Sequence, residues 1–138
     1  DRDVIRYSSK SYPSWTIRLG DVSLIGEATN QNGPFADDYF LCFATSPEGW
    51  YEASFYAENR DEFLAALGAQ LGTTLRLELT FSTDFSSRIL WPVEYADQPM
   101  FDFRDIPPKT VFGRFLNFLG FSKVEWHFSD AALAALTR

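Results

Sequence analysis

Few residue types in this chain could do chemistry. Cys42 is the only cysteine and His127 the only histidine. Structural zinc sites gather several Cys and His ligands. One of each leaves no such set to assemble, so neither a metal nor a cofactor is expected. A Cys–His nucleophilic pair is formally available, yet no local signature marks one. Cys42 lies in the apolar run Tyr39-Phe40-Leu41-Cys42-Phe43. A reactive thiol wants a cationic, partly exposed setting, so a small buried hydrophobe is the expected role. Serine catalysis would need a nucleophile elbow, and no Gly-x-Ser-x-Gly occurs. The glycine-rich phosphate loops are missing too.

Carboxylates are plentiful. Asp37, Asp38, Glu52, Glu58, Asp61, Glu62 and Asp84 could supply a pair held roughly 5–9 Å apart, as glycosidic hydrolysis requires. Nineteen acidic residues produce such pairs by chance, and solvated surface charge is the expected reading. Asn30, Asn32, Asp37 and Asp38 surround Gly33 with side-chain oxygens. They lack the alternate spacing and closing bidentate Glu of a calcium loop. A surface loop open to partner contacts is expected there. Asp84 and Arg88 close a hydroxyl-rich segment and could orient a small polar ligand. The simpler expectation is a strand-connecting turn in which Asp84 bonds its own backbone.

Aromatic side chains are the most distinctive feature: fourteen Phe, six Tyr and four Trp. Each buries about 150–250 Å², so most must build the core. Trp50 and Tyr51, beside a Pro-Gly turn, and Trp91, before Pro92, are the candidates for exposed aromatics, although packing in the core and at its edge is the leading expectation. Aromatics with a polar handle are enriched at protein interfaces.

Charge narrows the partners. Twelve basic residues face nineteen acidic ones, a formal net charge of −7. Nucleic-acid binding relies on Lys and Arg displacing counterions, so it is not expected. An anionic membrane surface is disfavoured on the same ground, and no apolar run of about 18 residues could span a bilayer. A lone cysteine with no disulfide fits a reducing cytoplasm, which is the expected location.

The elements that must position these groups belong to one α+β domain over residues 1–138. Its length and 46% hydrophobic content suffice for a core. Residues 1–14 read as a polar lead-in. Trp15–Leu19 alternates like a half-buried strand, and Gly20-Asp21 would turn it into a hairpin with Val22–Glu27. Tyr39–Thr45 does not alternate, which implies burial on both faces. Ser46-Pro47-Glu48-Gly49 turns it back into Trp50–Ala57. Asn59 and Glu62 suit the start of a helix over 59–71 that Gly72 would end. Gly68 inside that helix costs about 1 kcal/mol against Ala, which close packing on a sheet would explain. Thr74–Phe81 is the cleanest strand by alternation. Shorter strands are expected near 88–91, 100–103 and 121–128, and further helices at 110–119 and 129–137. The sum is a mostly antiparallel sheet of five to seven strands with two or three helices packed on one face.

These observations lead to a small acidic, non-enzymatic cytoplasmic module that binds a protein partner. The expected partner is basic, since acidic surfaces steer toward basic ones. An immunity or regulatory protein is one such scenario. Its candidate contacts are Asn32, Asp37, Asp38, Trp50, Tyr51, Glu52, Asp84, Arg88 and Trp91. The alternative is an enzyme or small-ligand carrier with an aromatic-lined pocket into which Glu52, Asp84 and Arg88 converge.

Overall fold

The computed structural model describes residues 3–30, 38–79, 85–106 and 123–137. The fold is mixed α+β, with eight strands in three antiparallel sheets and two helices among the described residues. The strands are β1 (Val4–Tyr7), β2 (Trp15–Arg18), β3 (Leu24–Thr29), β4 (Tyr39–Ser46), β5 (Gly49–Ser54), β6 (Ser86–Trp91), β7 (Phe101–Ile106) and β8 (Lys123–Phe128). The helices are α1 (Arg60–Leu71) and α2 (Asp130–Thr137).

A four-stranded sheet in the order β5-β4-β3-β6 forms the middle of the molecule. The expected hairpin β4–β5 is present, with Ser46 opposite Gly49 across its turn. Tyr39 to Ala44 are buried without interruption, as the lack of alternation implied. Every residue of β3 is buried as well. Strands covered on both faces require a layer on each side. On one side, Ile25, Leu41 and Phe43 pack with Leu64 and Leu67 of α1 and with Ile5 and Ile17 of the β1–β2 ribbon. On the other, Leu24, Phe40 and Cys42 pack with Ala132 and Ala135 of α2 and with Phe101 and Phe128 of the β7–β8 ribbon. The helices therefore lie on opposite faces, not on one as expected. Successive strand residues point to opposite faces, so two apolar faces in β3 and β4 need two covers.

Three elements depart from the sequence reading. β2 pairs with β1, Ile17 opposite Ile5, so the stretch read as a polar lead-in contains a strand. Leu19–Asp21 forms a 3-10 turn that passes the chain into the central sheet instead of closing a hairpin. Over its described part, Thr74–Leu79 is irregular. It runs as a strap whose Leu75 is buried and whose Leu77 packs on the α1-side core. The helix expected at 110–119 lies outside the described residues.

Helix ends follow local rules in part. Gly72 (φ +72°) ends α1 in the left-handed region, and the Thr73 N–H returns to the Gly68 carbonyl at 2.9 Å. Asn59 occupies the N-cap, but at φ +61° and without a side-chain cap bond. Ser129 caps α2 as expected: its hydroxyl accepts the Ala132 N–H at 3.1 Å and donates to the Pro99 carbonyl at 2.6 Å. No described helix is long and apolar enough to cross a membrane.

Candidate functional site: a buried carboxylate clamp and an aromatic cavity

Glu27 has no solvent exposure. A buried carboxylate persists only when paired and hydrogen-bonded. Antiparallel register places Arg88 of β6 directly opposite it. Arg88 Nη2 lies 2.7 Å and Nε 2.9 Å from Glu27 Oε2. From β4, the Tyr39 hydroxyl donates to Glu27 Oε1. From the strap, the Glu78 N–H reaches Oε2 at 3.0 Å and the Leu79 N–H reaches Oε1 at 3.1 Å. The clamp thus joins three strands of the sheet to a strap that has no ladder partner over its described part.

Arg88 is engaged on every side. It donates to the Arg76 carbonyl of the strap. Its Nη1 lies 2.6 Å from Asp97 Oδ1, and its Nε 3.2 Å from Glu78 Oε2. Asp97 takes φ +70°, a left-handed conformation that Asp tolerates better than most residues. Desolvation pulls the guanidinium pKa down, but bonds to Asp97 and Glu27 and the charges of Glu27 and Glu78 outweigh it, leaving the pKa raised. No buried side-chain nitrogen or oxygen among the described residues lacks a partner. The clamp fastens the strap and leaves no free nucleophile or base.

Among the described residues, the candidate contacts are spread over both faces of the sheet. Asn32, Asp37 and Asp84 lie outside the described residues. Asp38 is half-buried, and its carboxylate accepts the Tyr56 hydroxyl at 2.5 Å. Trp50 is half-buried, not exposed: its ring sits 4.6 Å from Phe101 and 5.1 Å from Phe128. Its indole N–H donates to Glu52 Oε1 at 2.9 Å. Trp91 is half-buried on the α1 side. Tyr51, 38% exposed, is the most open of the three. Glu52 stands opposite Cys42 on β5 and shares the α2 side. Arg88 belongs to β6, at the far edge of the sheet, and turns to Glu27 on the other face. Glu52 and Arg88 thus face opposite sides of the sheet.

Cys42 is fully buried, as expected. Desolvation, then the charge of Glu52, pushes its thiol well above the ordinary value. His127 pairs with Glu125 at 2.7 Å on the outer face of β8. No group of three or more metal-ligating side chains occurs among the described residues.

Among the concavities of the described residues, two adjoin α1 and the α1-side core. A cavity of about 240 Å³ lies between the β1–β2 ribbon, β4–β5 and the start of α1. Its walls include Ile5, Tyr7, Trp15, Leu41, Phe43 and Phe63, and Arg6, Glu58, Asn59 and Arg60 also line it. A wider groove of about 730 Å³ runs between α1 and the strap, past Leu64, Gly68, Leu75 and Leu77. The sequence signalled the aromatics but not their convergence, because Tyr7 sits in the stretch read as lead-in. Glu27 was missed as well; its only signal is a lone carboxylate in the otherwise apolar run Leu24–Ala28. Comparison with protein-family models, with curated proteins and with solved structures finds no match.

Proposed function

We propose that the chain is a single-domain, non-enzymatic binding module that acts in the cytoplasm and engages a basic protein partner, as an immunity or regulatory protein would. The observation that carries this reading is the division of charge. Exposed Asp and Glu outnumber exposed Lys and Arg among the described residues. Among the described residues the most deeply seated cation, Arg88, is paired within the chain with Glu27, Glu78 and Asp97. An acidic exterior accelerates encounter with basic surfaces and repels polyanions. Chemistry finds little purchase: Cys42 is sealed and the polar core is saturated.

The reading is tested by charge reversal. Glu48, Glu62 and Glu94 are exposed at three separate places: the β4–β5 turn, the first turn of α1 and the segment after β6. A basic protein bound at low salt should be released by added salt, and Glu48→Lys, Glu62→Lys or Glu94→Lys should abolish retention in at least one case. A partner whose binding ignores both salt and all three reversals overturns the reading. The aromatic cavity supports a second reading, the carrier of a small ligand, because it combines apolar walls with a few polar groups.

A further inference from the structure

The cavity between β1, β5 and α1 carries a more definite assignment, which rests on the ligand-carrier reading. Four rings form a continuous arc in its wall. Tyr7 and Trp15 lie 5.7 Å apart, Trp15 and Phe43 5.5 Å, and Phe43 and Phe63 6.2 Å. Its 240 Å³ falls short of the roughly 300 Å³ at which drug-sized pockets begin. One side chain of the size of Phe or Leu fills such a space.

The lining residues also bring charge. Arg6 of β1 and Glu58, just ahead of α1, are both exposed and both border the cavity. Neither makes an ion pair with the other or with a third group among the described residues. The remaining cation, Arg60, is committed elsewhere. It lies 3.1 Å from Asp61, donates to the Phe55 carbonyl at 3.1 Å and stacks 3.8 Å over the Phe55 ring. The cavity is therefore bordered by one open positive charge and one open negative charge. A net cation would meet Arg6 and a net anion would meet Glu58. A zwitterion satisfies both.

We propose that this cavity binds a free α-amino acid with an apolar side chain, its carboxylate toward Arg6, its ammonium toward Glu58 and its side chain among the rings. Ring burial aided by two exposed charge contacts gives an affinity on the order of 0.1–1 mM.

Calorimetric titration tests the assignment with L-phenylalanine as the probe, beside phenylacetate, phenethylamine and glycine. Phenylalanine should bind best. Phenylacetate and phenethylamine should each bind roughly three- to tenfold more weakly, because each lacks one charge contact. Glycine should show no binding. Arg6→Gln should weaken phenylalanine and phenylacetate while sparing phenethylamine, and Glu58→Gln should do the converse. Ala53→Leu, which fills the cavity from β5, should abolish binding while circular dichroism verifies an intact fold. The assignment fails if phenylalanine shows no saturable binding. It fails equally if the three aromatic probes bind alike, or if neither charge variant alters binding. Each of these results leaves the salt-sensitive protein contact untouched, so the two readings fail separately.

Discussion

Among the described residues, Glu27 is buried against Arg88 as its one cation, while Arg88 also holds Glu78 and Asp97. Removing one partner of a buried pair strands the other charge and costs about 3–5 kcal/mol. Arg88→Met should therefore lower unfolding free energy by about that amount and Glu27→Gln by less, because Arg88 keeps Glu78 and Asp97, both measured by urea denaturation. The double variant should lose less than the sum of the two, because both substitutions break the same contact. A loss under about 1 kcal/mol for Arg88→Met would show that the strap is held by Leu75 and Leu77 instead. Cys42 gives a second residue-scale expectation. Its folded pKa is raised by desolvation and by Glu52, so the folded state keeps its proton where the unfolded chain releases it. That contribution is intact below the ordinary thiol value of 9.0 and erodes as pH rises past it. Between pH 8 and pH 10 the protein should lose more stability than its Cys42→Ala variant, with a slope difference approaching about 1.4 kcal/mol per pH unit. Parallel curves for the two proteins would refute this. The burial of Cys42 was legible because its neighbours are all apolar. The clamp was not. Arg88 drew notice as a ligand group, but its partner stands far away in sequence and becomes a neighbour only through strand register.

At the scale of elements, side chains prove to do work usually assigned to ladders. Thr74–Leu79 carries the cleanest alternation in the chain, and its apolar side does face the core through Leu75 and Leu77. Alternation reports which side is buried, not whether a neighbouring backbone supplies hydrogen bonds. Here the Glu27 carboxylate receives the N–H groups of Glu78 and Leu79, so the strap needs no paired strand at that point. The same distinction explains β2. Its alternation was legible, but its partner was not, because β1 lies in a stretch too short and polar to read as a strand. Gly68 makes the element-level argument testable. Its place inside α1 was legible as a cost, though its cause was not. A Cβ there would stand 2.6 Å from the Thr73 carbonyl oxygen, so the chain leaving the helix, not the sheet, demands glycine. Helix propensity alone would have Gly68→Ala stabilise by up to about 1 kcal/mol. Steric conflict with backbone should instead make it destabilising by about 1–3 kcal/mol. A thermal melt decides between the signs, and a raised midpoint would mean that the turn at Thr73 relaxes without cost.

The whole molecule is a sheet with a core on each side, and the two cores share β3 and β4. Burial on both faces was legible in Tyr39–Thr45. What it entails, a separate cover for each face, follows only once the helices are assigned to sides, and sequence order does not assign them. Sharing strands has a consequence for cooperativity. Leu24 and Ile25 are neighbours on one strand yet belong to opposite cores, so loss of one core removes the support of the other. The four tryptophans divide between them: Trp15 and Trp91 pack on the α1 side, Trp50 and Trp126 on the α2 side. Two variants each keep one pair as fluorescent reporters, Trp50→Phe with Trp126→Phe and Trp15→Phe with Trp91→Phe. Both substitutions remove buried ring area and will shift the midpoints, so each variant is compared with its own far-ultraviolet circular dichroism. If the sheet couples the cores, fluorescence and dichroism midpoints in urea coincide within each variant, the mark of two-state unfolding. If either core melts alone, the variant reporting on it shows fluorescence changing ahead of dichroism, and the shared strands do not enforce cooperation. Coincidence is expected, because β3 is buried along its whole length and cannot lose one cover without exposing apolar surface on a strand that the other core still uses.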